Sequence, residues 1–78
     1  MVVIMLDRNS LVDLHEQLSN LLREQIRTGE LSGRIPSIKH LAQQYEVSTK
    51  TVERALDTLK DEDLIAARVG RGFFVKPR

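Results

Sequence analysis

The chain has 78 residues and a formal net charge of +1, which confines it to one domain with a modest core and gives no overall electrostatic bias toward a polyanion. It contains no cysteine, so disulfides, thiolate zinc sites and cysteine nucleophiles are excluded, and the composition fits a cytoplasmic protein. The longest apolar run closes at Leu6 and is too short to cross a membrane or to form the core of a secretory leader.

Residues 1–10, MVVIMLDRNS, begin with a β-prone run and close in turn formers. This is the pattern of a short strand or of an N-terminal arm that orders on a partner. Leu11, Leu14, Leu18, Leu21, Leu22 and Ile26 then recur at helical spacing. Asp13 followed by Glu16 reads as a capping box, and Gly29 stands where a helix C′ residue belongs. A first helix is therefore predicted over 13–28. Its leucine stripe barely exceeds two heptads, too short for a coiled-coil seam, and is read as core.

Residues 29–36, GELSGRIP, form a connector, and Pro36 disfavours helix at Ile35. Ser37 caps a second helix, with Leu41 and Ala42 facing inward and Tyr45 near its end. Tyr45 suits either core packing or a hydroxyl contact to phosphate. After a very short Glu46-Val47 link, Ser48 caps a third helix that turns Val52, Ala55, Leu56 and Leu59 inward. Asp61, Glu62 and Asp63 end it. Negative charge there opposes the helix dipole, so some other constraint must set the stop.

From Leu64 the pattern changes. Leu64-Ile65-Ala66-Ala67-Arg68 and Phe73-Phe74-Val75-Lys76 are strand-like, and Val69-Gly70-Arg71-Gly72 between them makes a hairpin. Phe74 and Val75 are expected in or near the core and Phe73 on the opposite strand face, as a possible contact surface. Two short helices with a tight link, then a hairpin with a cationic tip, make a helix-turn-helix plus wing. The fold class is mainly α with a small β-hairpin: a winged helix-turn-helix of three helices plus wing. The expected organisation is an arm or short strand over 1–10 and a winged-helix domain over 11–78.

Charge follows this division. Residues 1–33 carry three Arg or Lys against five Asp or Glu, and residues 34–78 carry nine against six, a mild basic bias that points weakly to nucleic acid. His15 and His40 are too few for a metal site. With no carboxylate pair in a Gly-framed loop, phosphate-cradling motif or triad, no enzyme activity and no cofactor are expected.

The run RIPSIKHLAQQYEVSTKTVERALDTLKDEDLIAARVGRGFFV resembles the N-terminal winged-helix domain of the GntR family of bacterial transcription regulators. The markers are LHEQL in the first helix, Pro36-Ser37, the Val-Ser-x-x-Thr-Val run at Val47–Val52, RAL-x-x-L in the third helix and GRG-x-FV at Gly70–Val75. The likeness covers roughly residues 11–75. It departs from the family at four places. The usual Pro-Ser-Glu-Arg run becomes Pro36, Ser37, Ile38 and Lys39, which keeps the charge but loses the bidentate fork. The Arg after the Val-Ser pair becomes Thr49, and a further helix-three Arg becomes Glu53, with Arg54 beside it. A family Gly becomes Asp63, where a left-handed conformation is expected that Asp tolerates less well.

The resemblance implies sequence-specific binding of double-stranded DNA by a transcription regulator, with repression the expected sense. The third helix, 48–61, would enter the major groove and the wing, 69–72, the minor groove. The implied DNA contacts are Ser37, Lys39, Ser48, Thr49, Lys50, Thr51, Glu53, Arg54, Arg68, Gly70, Arg71 and Gly72. Lys50 suits guanine O6/N7, Glu53 accepts from cytosine N4, and Thr49 packs on thymine. Ser37 and Lys39 at a helix start suit phosphate, and Arg71 between two glycines suits a narrow minor groove. A homodimer on a palindromic operator is the expected assembly. GntR-like regulators continue into a C-terminal domain that binds a small effector, so an effector is expected only through a domain outside this chain. The expectation is a piece of a longer regulator, with a compact stand-alone protein as its alternative. The rival function is a winged-helix protein-interaction module without specific DNA binding.

Overall fold

The computed structural model describes Leu6 and residues 12–77. The expected arm or strand over 1–10, Leu6 apart, and Leu11 lie outside the described residues. Three helices, α1 (Leu14–Thr28), α2 (Ile38–Tyr45) and α3 (Thr49–Asp61), precede a hairpin of β1 (Ile65–Arg68) and β2 (Gly72–Val75). Among the described residues, no helix is long and apolar enough to cross a membrane.

Helix α1 buries Leu18, Leu22 and Ile26, one face at helical spacing, and leaves Leu14 and Leu21 half-buried at its margin. Asp13 is its N-cap residue, but the expected capping box does not form: the Asp13 side chain makes no cap hydrogen bond. The first turn is held from one residue earlier and one turn later. Gln17 donates its side-chain amide to the Val12 carbonyl at 2.7 Å and its backbone N–H to the Asp13 carbonyl at 3.0 Å. At the other end Gly29 sits at φ 82, a left-handed conformation that stops the helix without the steric cost a Cβ would bring. Ser19 is the buried polar residue of the core, and its hydroxyl is satisfied by the Glu16 carbonyl at 2.8 Å.

Leu41 and Ala42 of α2 and Val52, Ala55, Leu56 and Leu59 of α3 close on the α1 stripe, with Ile35 and Ile65 completing the cluster. Tyr45 packs against this core, and Gln25 Nε2 lies 3.5 Å from its hydroxyl. Core packing is thus the role it takes here. The stop of α3 has the separate constraint that its acidic end demanded. Arg23 of α1 donates to both carboxylate oxygens of Glu62, at 2.7 and 2.6 Å. Asp63 then turns at φ 63, the left-handed conformation expected at this position, and its carboxylate pairs with Lys76.

β1 and β2 are antiparallel, with Ile65 opposite Val75, Ala66 opposite Phe74, Ala67 opposite Phe73 and Arg68 opposite Gly72. The strands begin at Ile65 and Gly72 rather than at Leu64 and Phe73. Side chains alternate along a strand, so Phe74 and Val75 cannot share a face, and the expectation for the two phenylalanines is reversed. Phe73 and Val75 pack on the core, while Phe74 stands on the outer face.

The connector adds a third extended segment to this sheet. Ile35 N–H donates to the Phe73 carbonyl at 2.9 Å, Val75 N–H donates to the Gly33 carbonyl at 2.8 Å, and Arg34 is bridged to Phe74 between them. This seats Ile35 in the core at 2% exposure and fixes where Pro36 delivers the chain to α2.

Candidate nucleic-acid interface

The tight link between α2 and α3 fixes how α3 is presented. Glu46 takes φ 54 at the end of α2, and Val47 N–H returns to the Ala42 carbonyl at 3.0 Å. Ser48, in extended conformation, then starts α3 by accepting the Thr51 N–H at 3.1 Å, and its hydroxyl also lies 3.0 Å from that of Thr51. Two of the predicted site residues therefore share one local hydrogen-bond knot at the helix entrance.

With Val52, Ala55, Leu56 and Leu59 turned inward, the helical repeat puts Lys50 and Arg54, one turn apart, on the side opposite the buried stripe. Thr49 and Glu53 lie on one flank and Thr51 on the other. Thr49, Lys50, Glu53 and Arg54 are exposed and Thr51 is half-buried. The ion pairs among the described residues are Arg23–Glu62, Arg27–Glu24 and Lys76–Asp63. The charged side chains on the outward face of α3 are thus not tied to one another. The pairing lies instead within α1, between α1 and the end of α3, and between Asp63 and the residue that follows β2. The Glu62 carboxyl is held below its ordinary pKa by its hydrogen bonds from Arg23, and Glu24 is held low in the same way by Arg27.

Helix α2 starts at Ser37, whose Oγ accepts the His40 N–H at 3.1 Å. Lys39 is exposed in the first turn. Between this helix start and the edge of β2 lies a notch of about 300 Å³ lined by Arg34, Ser37, Lys39, Gly72 and Phe73, among others. Ser37 and Lys39 are thereby brought beside Gly72 of the wing, across a sequence gap that hid their proximity.

The wing turn is closed by Arg71 N–H donating to the Arg68 carbonyl at 3.0 Å, with Gly70 at φ 74. A Cβ on Gly70 would meet no atom within 4 Å, so within this chain glycine is required there by the backbone angle and not by crowding. Val69, Gly70 and Arg71 project freely, Val69 at 105% exposure. Arg68 is not at the tip: its guanidinium carbon lies 5.6 Å from the centroid of the Phe74 ring on the outer sheet face, within cation–π range. The predicted residues thus fall into three groups, the α2 start, the α3 outward face and the wing. Arg34, which lines the notch, and Phe74, whose ring lies under Arg68, were not among the predicted contacts. No described group of three or more His, Asp or Glu side chains gathers as metal ligands.

Residues 14–75 match the pattern described as "Bacterial regulatory proteins, gntR family". The chain is 36% identical over 76 residues to the HTH-type transcriptional repressor NagR of Bacillus subtilis (strain 168), which covers 94% of this chain and 31% of NagR. It is 35% identical over 75 residues to the probable rhizopine catabolism regulatory protein MocR of Rhizobium meliloti, covering 94% of this chain and 15% of MocR. The chain therefore spans less than a third of either relative's length. NagR is a transcriptional repressor and MocR a probable regulatory protein. Among solved structures, YtrA from Sulfolobus acidocaldarius, a GntR-family transcription factor, superposes with a TM-score of 0.88 at 32% identity, covering 99% of this chain and 83% of that one. The DNA-binding domain of AraR in complex with operator ORX1 gives a TM-score of 0.81 at 26% identity, covering 97% and 96%. By sequence pattern, by relatives and by three helices plus a two-stranded hairpin, the chain belongs to the gntR family of bacterial regulatory proteins.

Proposed function

We propose that this chain is the winged-helix DNA-binding domain, spanning 11–78, of a transcription regulator that binds a specific double-stranded DNA sequence and acts as a repressor in the cytoplasm. The observation that carries this reading is the outward face of α3. Lys50 and Arg54 stand exposed, opposite the buried stripe and without an ion-pair partner among the described residues, on a helix whose entrance is fixed by the Ser48 cap. Lys50, Thr49, Thr51 and Glu53 read base edges in the major groove, with Arg54 beside them. Ser37 and Lys39 at the start of α2, with Ser48, hold phosphate, while Gly70, Arg71 and Gly72, with Arg68 behind them, reach the adjacent minor groove. The AraR domain bound to its operator supports this placement, since the two folds superpose over nearly the whole chain. The NagR likeness supports repression. One domain offers a small footprint, so binding follows the two-half-site plan, with a homodimer on a palindrome. An effector acts only through a domain outside this chain.

The test is selection from a random duplex library at moderate salt with the purified chain. Enrichment of a palindrome is the expected result. Salt-sensitive binding without enrichment removes sequence specificity from this chain alone. No binding even at low salt removes DNA from the function and transfers the reading to a protein-docking module, for which the exposed Glu53 and the net charge of +1 would then be the relevant features.

A further inference from the structure

The outer face of the wing sheet carries a second cationic feature that the helix-turn-helix does not use. In antiparallel pairs, directly opposed residues send their side chains to the same face. Arg34 is opposite Phe74, and Phe74 is opposite Ala66, so these three form one row across the three extended segments. Arg68, two residues beyond Ala66, shares that face and stacks on the Phe74 ring at 5.6 Å. The Phe74 ring is therefore flanked by an arginine from each neighbouring segment, whose backbones lie roughly 10 Å apart at two strand spacings.

Both arginines are exposed, and neither has a carboxylate partner among the described residues. In Arg23, Arg27 and Lys76 the charge is engaged with Glu62, Glu24 and Asp63. Arg34 also lines the notch with Ser37, Lys39 and Gly72. Lys39, Arg34, Arg68 and Arg71 are thus exposed cations of the α2 start, the connector and the wing. We infer that Arg34 is a further DNA-contacting residue, gripping together with Arg68 the sugar–phosphate backbone along the rim of the groove that the wing enters, and that Phe74 is the positioning residue that holds the Arg68 guanidinium for this contact. The inference rests on the proposed DNA-binding function and extends it to the outer face of the wing sheet. Guanidinium groups suit phosphate because their planar fork matches two oxygens, and a ring beneath one of them reduces the freedom lost on binding.

The experiment is a salt titration of affinity for a labelled mixed-sequence duplex, with wild type and Arg71→Ala as references. Arg34→Gln is expected to lower the slope of log affinity against log salt by about 0.9, the value for one phosphate contact. Arg34→Lys keeps the slope, and Arg27→Gln, which removes a cation already paired with Glu24, leaves it unchanged. Phe74→Leu removes no charge, yet is expected to move the slope toward that of Arg68→Gln, with Phe74→Tyr restoring it. A stability effect alone would leave the slope in place, and urea unfolding of each variant separates the two. An Arg34→Gln slope equal to wild type, where Arg71→Ala lowers it, overturns this inference and leaves the DNA-binding function standing. A Phe74→Leu slope equal to wild type overturns the positioning role. A wild-type chain that binds no duplex at low salt overturns the function and this inference together.

Discussion

Ser48 has two roles that a pair of substitutions can separate. Its Oγ accepts the Thr51 N–H at 3.1 Å and thereby satisfies one of the orphan donors that start α3. Ser48→Ala removes that acceptor and should cost about 1 kcal/mol, the ordinary value of an N-cap serine. The Thr51 hydroxyl loses a neighbour at 3.0 Å, but the site is exposed and water replaces the partner, so little is added. For a domain of this size, about 1 kcal/mol corresponds to a fall in Tm of roughly 4–8 °C, readable by circular dichroism. Ser48→Asp should restore the cap, because Asp ranks with Ser at this position, and its charge adds about 0.3–1 kcal/mol against the helix dipole. The same carboxylate would stand at the edge of the DNA interface, where it repels phosphate. The aspartate variant is therefore expected to match or exceed wild-type Tm while binding DNA more weakly than either wild type or the alanine variant. An alanine variant with wild-type Tm would refute the capping argument. An aspartate variant that binds DNA as tightly as wild type would refute the placement of the α3 entrance against the backbone.

Arg71→Ala should weaken DNA binding and reduce the salt slope by roughly one unit if it neutralises one phosphate; an unchanged slope takes the wing tip out of the interface. Lys50→Ala should relax preference at a single base pair, by about 1–3 kcal/mol of discrimination in competition selections, while other positions keep theirs. Uniform weakening would make Lys50 a backbone contact. Because Arg23 holds the Glu62 pKa below its unfolded value, this pair stabilises the fold above the unfolded carboxylate pKa. The contribution is lost as pH falls through the lowered folded value. Glu62→Gln should flatten that acid limb and cost up to about 1 kcal/mol at neutral pH, since both side chains are more than a third exposed. Urea midpoints of the two proteins compared across the carboxylate range test this, and parallel profiles would contradict it.

The helices were legible because their information is local. Ser37 and Ser48 precede apolar stripes at helical spacing, and Gly29 follows one; each sits where the structure needs a cap or a left-handed turn. The acidic end of α3 was legible as a contradiction, and Arg23 and Asp63 resolve it. What escaped depended on register. Phe73 and Phe74 are adjacent aromatics, and only the pairing with Ala67 and Ala66 decides which one faces the core. Arg34 and Phe74 meet across forty positions, through backbone hydrogen bonds that leave no mark in side-chain pattern. The candidate contacts on α3 were placed by the same stripe that built its core. The nearness of Lys39 to Gly72 was invisible for the reason that hid the third extended segment.

That segment also bears on how the protein behaves in a crowded solution. A lone hairpin presents strand edges whose free N–H and C=O groups template pairing with other chains. Here the Phe73 carbonyl and the Val75 N–H on the open side of β2 are already bonded to Ile35 and Gly33, and Pro36, which has no N–H to donate, ends the segment that covers them. An intruding β-strand would have to displace Ile35 from the core before it could pair with this edge of β2. The connector between two helices is thus also a guard against self-association, and loosening it by truncating Ile35 should expose the wing to aggregation before the helices unfold.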